Sequence, residues 1–264
     1  MVPSHDVLFV TLDTLRYDVA VRELDAGRTP NIARRLTDGA WEKRHTPGSF
    51  TYAAHHAFFA GFLPTPAKPG RHERLFAARF AGSETSTDET LVLDSADIVT
   101  GFAALGYHTI CVGGVGFFNK RNALGSVLPS LFRESHWDES LGVTDPRSTE
   151  HQVAVAIERV SALTDGHPVF LFVNVSAIHQ PSRVYVEGAA EDSLETHAAA
   201  LAYVDRSLEA LFRFFEARAR PTLAILCSDH GTAFGEDGYR GHRLAHDVVW
   251  TVPYGQFVLS SGDR

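Results

Sequence analysis

Asp229 and His230 stand side by side, followed by Gly231, at the end of the apolar run Leu223-Ala-Ile-Leu-Cys-Ser228. A carboxylate and an imidazole placed together can both reach one cation, and the glycine frees the backbone to turn away. Such pairs are common. This one gains weight from Asp13, which closes a second apolar run, Val7-Leu-Phe-Val-Thr-Leu12. Three oxygen and nitrogen ligands carried on two strand ends suit a divalent ion. The chain has 14 histidines and two cysteines, so any metal would be held by nitrogen and oxygen rather than by sulfur. Cys111 and Cys227 each lie inside an apolar run and read as reduced, buried thiols of a cytoplasmic protein.

Residues spread this far along the chain need a scaffold that brings strand ends together. Continuous apolar runs predict buried strands over 7–12, 108–112, 168–175 and 222–227, with a last one over 254–259. Helical spacing predicts helices over 95–105, 150–163 and 192–218, and Pro30 opens one over 30–36. Strand alternating with helix means an α/β fold, here a three-layer sandwich with a mostly parallel central sheet flanked by helices. Ligands then bind beyond the carboxyl ends of the strands, where Asp13, His179 and Asp229-His230 fall. The 264 residues fit a single domain spanning 1–264. The Gly-, Pro-, Ser- and Thr-rich stretch 64–94 reads as an irregular surface excursion.

Against 32 acidic residues there are 24 basic ones, a net charge of −8, and no long run of Lys or Arg. That balance excludes a nucleic-acid or anionic-membrane footprint. No stretch approaches the roughly 18 to 20 apolar residues of a membrane span, and no signal peptide is expected. An anionic substrate would have to be captured by local charge, which a bound cation supplies.

Three segments together resemble the alkaline-phosphatase superfamily in its sulfatase-like and phosphodiesterase-like branch. Leu12-Asp-Thr-Leu-Arg-Tyr-Asp18 is similar to the opening motif, and Ser228-Asp-His-Gly-Thr-Ala-Phe-Gly-Glu236 to the second metal motif, whose Asp and His are ligands. Between them, Thr51 with Gly61 ten residues on and Pro64 three further matches the spacing of the nucleophile segment. The resemblance implies that Thr51 is both nucleophile and ligand, beside Asp13, Asp229 and His230. A threonine hydroxyl needs a base or metal to become a nucleophile at neutral pH. A place at the start of a helix would add free N–H groups for an anion. The alternative is that Thr51 is only a helix N-cap.

Departures from the sulfatase pattern favour phosphoesters. Sulfatases carry Cys or Ser, converted to formylglycine, within Cys/Ser-x-Pro-x-Arg; this chain has Thr51, Ala53 and His55. After Gly106-Tyr-His-Thr-Ile-Cys-Val-Gly113, where sulfatases continue into Lys-Trp-His, it has Gly114, Val115 and Gly116. Thr51 with His55 is closer to the Thr-x-x-x-His of nucleotide pyrophosphatases and phosphodiesterases, and the resemblance counts His55 among the substrate-binding residues. By the same resemblance His179, in His179-Gln-Pro181, and His242 would bind the transferred group, and His246 lies near a ligand of the other metal in phosphomutase relatives. Counting four back from His179 gives Val175, so a carboxylate those relatives use is missing; Asp205 is a carboxylate on a helix. One divalent ion is expected, zinc favoured over manganese, magnesium or calcium, with a second ion as the alternative. Lys120 and Arg121, after a glycine-rich run, could bind phosphate or belong to a tight turn. The expected activity is metal-dependent hydrolysis of a small anionic phosphomonoester or phosphodiester through a phospho-threonine. Phosphotransfer to an alcohol, sulfate-ester hydrolysis and a non-catalytic accessory role are the alternatives.

Overall fold

The computed structural model describes residues 4–61, 74–76, 90–92, 96–164 and 166–261. In chain order the strands are β1 (Asp6–Leu12), β2 (Glu42–His45), β3 (Arg74–Phe76), β4 (Thr90–Val92), β5 (His108–Val112), β6 (Glu134–His136), β7 (Val169–Val175), β8 (Thr222–Cys227), β9 (Ala233–Phe234), β10 (Arg240–Gly241) and β11 (Thr251–Leu259). The helices are α1 (Tyr17–Asp25), α2 (Pro30–Ala33), α3 (Thr51–Ala60), α4 (Ile98–Ala104), α5 (Ala123–Val127), α6 (Ser148–Ser161), α7 (Leu194–Glu216) and α8 (Asp247–Trp250).

Among the described residues the central sheet has seven strands in the order β2-β11-β8-β1-β7-β5-β6. The run from β8 to β6 is parallel, and β11 is antiparallel to both of its neighbours. Alternate residues serve opposite faces, as the pleat requires. Leu8, Val10, Leu171, Val173 and Leu226 pack with α6 and α7. Val7, Phe170, Phe172 and Cys111 pack with Tyr52 and Phe59 of α3 and Val99 and Phe102 of α4. The expected three-layer α/β architecture is therefore present.

Two strands at the edges, β2 and β6, have no apolar pattern and were not expected from the sequence. All four residues of β2 are exposed, and its pairing with residues 251–254 extends β11 three residues earlier than its apolar run. The helix expected over 30–36 regularises only to Ala33. Its last turn tightens, with the N–H groups of Arg35 and Leu36 both bonded to Ile32 O. Asp205 explains its start: the carboxylate of this buried α7 residue accepts from the Asn31 and Ile32 N–H groups. The Asp205 carboxylate is thus a helix cap and is not available as a metal ligand. Helix α7 opens on a capping box, with Ser193 and Thr196 bonded reciprocally. The excursion expected over 64–94 falls outside the described residues, apart from the parallel pair β3 and β4, as does Pro64.

Candidate metal and nucleophile site

Asp13 follows β1, and Asp229 and His230 follow β8; the two strands are parallel neighbours, so their carboxyl ends deliver all three side chains to one point. Each is fully buried, and their ligand atoms lie within 4.8 Å of one another. The sequence-predicted trio is thereby brought together.

Neighbouring backbone fixes how each group is presented. Asp229 Oδ1 accepts from the N–H groups of Thr14, at 3.1 Å, and of His230, at 3.0 Å. Thr14 has a φ of 65°, a left-handed conformation that a β-branched residue rarely takes, and the bond to Asp229 holds it there. Asp13 Oδ2 accepts from Asn174 Nδ2 at 3.0 Å. The other oxygens, Asp13 Oδ1 and Asp229 Oδ2, are buried with no partner among the described residues. Buried carboxylate oxygens without donors are costly. Burial and the facing Asp229 carboxylate push the Asp13 carboxyl up from its ordinary range, and burial pushes Asp229 up as well. A cation between them removes both penalties.

His230 is set up for the same partner. Its Nδ1–H donates to Gly231 O at 2.8 Å, which leaves the Nε2 lone pair facing the cluster. Gly231 is required for a reason the sequence did not reveal: a Cβ there would stand 1.9 Å from Val248 O.

Thr51 is the first residue of α3, and the cap position is Phe50, which makes no side-chain cap bond. The N-cap alternative for Thr51 is therefore wrong. Its Oγ1 turns instead to His230 Nε2, at 3.3 Å, and Asp13 Oδ2, at 3.4 Å. His230 Nε2 lies 3.5 Å from Asp229 Oδ2. Ligand atoms around a tetrahedral zinc with bonds of about 2.0–2.1 Å are about 3.3–3.4 Å apart. The residues present fit such an ion: Asp13, Thr51, Asp229 and His230 would hold it.

The remaining candidates divide. His179 and His242 belong to the site's margin, with ring centroids 5.9 Å apart, and the His242 ring lies 4.6 Å from that of His230. Burial, with the nearby His230 and His179, lowers the His242 pKa to about 3, so it meets a substrate as a neutral imidazole. His55 was expected to touch substrate; it is wholly buried, with Nδ1 bonded to Thr51 O at 2.8 Å and Nε2 to Thr11 Oγ1 at 2.9 Å. No ring nitrogen remains for a ligand. His246 is similarly engaged, by Asp237 at 3.1 Å and by the Val248 N–H at 3.2 Å, and stays outside the cluster. Lys120 donates to Ser135 O, and Arg121 pairs with Glu139 while covering the Trp137 ring. Both are engaged by neighbours of the turn that follows the glycines. Two of the glycines before them serve packing: a Cβ on Gly113 would be 2.5 Å from Phe118 Cβ, and one on Gly114 2.3 Å from Asn174 O.

Three participants went unnoticed in the sequence. Asn174, the one polar residue in the buried strand β7, braces Asp13; a lone amide in a run buried on both faces must find partners, and that was its signal. Arg16 ties the first motif to the second, bonding Asp18 and Glu236 by its guanidinium and Thr232 O at 3.4 Å. Arg243, an exposed residue whose backbone N–H donates to Ser49 O near Thr51, has its guanidinium over the Phe50 ring, and its charge acts on His230 and His242.

A mostly parallel sheet whose strand ends carry a buried Asp–Asp–His cluster and a helix-initiating hydroxyl defines the class as the alkaline-phosphatase superfamily. The chain belongs to the Sulfatase family, whose model matches residues 5–255. Solved structures agree on the fold. The soluble domain of lipooligosaccharide phosphoethanolamine transferase A from Neisseria meningitidis superposes with a TM-score of 0.67 at 15% identity, over 96% of this chain and 76% of that one. The periplasmic domain of EptC from Escherichia coli in complex with zinc gives 0.64 at 13%, over 97% and 73%. A protein in the alkaline phosphatase superfamily from Vibrio parahaemolyticus gives 0.61 at 18%, over 96% and 60%. No curated protein matches the chain in sequence. Membership supports a sulfatase- or phosphoesterase-type enzyme with a divalent metal.

Proposed function

We propose that the protein cleaves a small anionic phosphoester, with Thr51 as nucleophile and zinc as the bound ion, and releases the phosphoryl group to water. The observation that carries this reading is Thr51 Oγ1 beside His230 Nε2 and Asp13, facing carboxylate oxygens that lack any donor. The ion would lower the pKa of the Thr51 hydroxyl and offset charge on the phosphoryl oxygens. Thr51 Oγ bonds to phosphorus as the ester P–O bond breaks; its proton passes to solvent, and the alcohol leaves protonated. Water then attacks phosphorus, the Thr51 Oγ–P bond breaks, and Thr51 regains a proton. His179, His242 and Arg243 supply hydrogen bonds and positive charge to the phosphoryl oxygens, and the N–H groups at the start of α3 add donors.

Thr51 cannot give the aldehyde of sulfatases, which supports phosphate over sulfate. A second reading, transfer to an alcohol in place of water, is favoured by the transferase names of the Neisseria and Escherichia structures. Chromogenic phosphate monoesters, phosphate diesters and an aryl sulfate, each with and without an added alcohol, separate these outcomes on the zinc-loaded protein. Thr51→Ala should lower phosphoester turnover at least about a thousandfold while zinc stays bound, and Thr51→Ser should keep part of it. Wild-type turnover by Thr51→Ala would refute the mechanism.

A further inference from the structure

The bonds around Asn174 have only one consistent direction. Asn174 Oδ1 accepts from the Val115 N–H at 3.0 Å, which assigns the amide and leaves both Nδ2 hydrogens for other partners. One goes to Asp13 Oδ2 at 3.0 Å and one to Thr11 Oγ1 at 3.2 Å. At the far side, Thr51 O can only accept, so His55 Nδ1 carries the proton and donates to it. His55 Nε2 is then a lone pair, and the hydroxyl of Thr11 donates to it. Thr11 thus accepts from Asn174 and donates to His55. Thr51 closes the ring by donating its own hydroxyl toward Asp13 Oδ2.

All five members, Thr11, Asp13, Thr51, His55 and Asn174, are buried, with none more than 2% exposed. The ring holds together only with a neutral His55, donating from Nδ1 and accepting at Nε2. Its effect on the site is specific. Asn174 holds Oδ2 of Asp13 and so fixes the rotation of the carboxylate, with Oδ2 beside Thr51 Oγ1 and Oδ1 left without a donor. His55 holds the Thr51 carbonyl, which anchors the first residue of α3 and with it the hydroxyl.

We propose that Asn174, Thr11 and His55 form a positioning ring: Asn174 fixes the orientation in which the Asp13 carboxylate is offered to the metal, and the Thr11–His55 arm places Thr51 for attack. This deepens the reading above and rests on Asp13 as ligand and Thr51 as nucleophile. Asn174 and His55 are positioning residues, since neither reaches the reacting atoms. Groups that orient ligating carboxylates typically change metal affinity or activity by about 10- to 100-fold when removed.

The test uses the full chain stripped of metal, titrated with zinc alone by calorimetry, with melting curves before loading and kcat and KM after it. Asn174→Ala should weaken zinc binding about 10- to 100-fold. Thr11→Val keeps the shape, leaves every ligand in place and should retain zinc affinity within about twofold while kcat falls about tenfold or more at nearly unchanged KM. Thr11→Ser, which keeps the hydroxyl, should restore kcat. A purely structural ring would lower the melting temperature of the stripped variants and leave zinc affinity and kcat of the folded protein alone. Folded Asn174→Ala with wild-type zinc affinity would overturn the inference. If that variant does not fold, wild-type kcat in Thr11→Val overturns it equally well. Failure of the wild-type chain to bind zinc would instead sink the functional reading, and the inference with it.

Discussion

The two ends of β1 each bury a carboxylate completely, and they treat it in opposite ways. At the amino end Asp6 is enclosed by partners: Arg218 at 2.7 Å, Arg220 at 3.2 Å and the Val169 N–H at 3.0 Å. At the carboxyl end Asp13 faces a second carboxylate, Asp229, and each keeps an oxygen with no donor. Burial alone therefore does not mark a functional acid. What marks it is a desolvation cost that the protein's own residues leave uncompensated. At one end the chain neutralises its charge with its own arginines; at the other it leaves that task to an ion.

Exchanging Asp229 for Asn gives the largest separation between the two ends. The variant keeps an oxygen for the Thr14 and His230 N–H groups and loses the charge. Zinc binding and phosphoester turnover should fall by at least about a hundredfold, while the stripped variant should melt at or above the stripped wild type. Asp6→Asn should do the reverse. Zinc affinity should hold, and stability should drop by about 2–4 kcal/mol, near the lower part of the range for breaking a buried pair because both arginines are partly exposed. If Asp229→Asn destabilises the stripped chain as much as Asp6→Asn does, the distinction between the ends fails.

The same contrast has a pH signature. The folded-state pKa of Asp229 is raised by burial to about 7, and that of Asp13 is raised with it; unfolded aspartates titrate near 4. For an acid shifted upward, stability is intact below the unfolded pKa and is lost as pH rises through the folded one. Stripped protein should therefore lose stability between about pH 4 and pH 7 through this pair. His55 and His197 act in the opposite sense. Burial lowers each to about 3, so their contribution is present above about pH 6.5 and lost as pH falls toward 3. Melting curves of stripped wild type and stripped Asp229→Asn isolate the carboxylate part, because both contain the histidines. The wild type should fall further behind with rising pH, and zinc should close the gap. A gap independent of pH would contradict the origin given for it.

Much of this site was legible because its parts are local. Asp13, Asp229 and His230 each end an apolar run, and parallel strands must bring such ends together. The interior strands read correctly for the same reason, since burial on both faces leaves continuous apolar sequence. What could not be read depends on pairing across the chain. β2, Glu-Lys-Arg-His, is a strand only because β11 lies beside it. His55 has the spacing of a substrate contact, and only the tertiary structure shows Thr11 and Thr51 taking both its nitrogens. Asn174 sits one residue before Val175, where a ligand was sought; the amide braces Asp13 through a bond across two strands.

His246 supplies the smallest expected effect. The resemblance offered His242 as a substrate contact and His246 as a position near a second metal, so sequence alone left both as candidates. In the structure it precedes α8, a helix of four residues, and its Nδ1 accepts the Val248 N–H while Nε2 meets Asp237, which is exposed. Loss of an N-cap costs about 0.5–2 kcal/mol, and a hydrogen bond from Nε2–H to an exposed carboxylate adds little. His246→Ala should therefore reduce stability by about 1 kcal/mol. Zinc affinity should remain within about twofold, a change of about 0.4 kcal/mol, because no cluster atom loses a partner. His242→Ala makes the matched comparison, removing a ring that packs 4.6 Å from His230; it should raise KM for the phosphoester while zinc remains bound. A calorimetric titration in which His246→Ala weakens zinc binding tenfold would place this histidine in the metal site after all, and would mean that the loop over 242–246 rearranges around the ion.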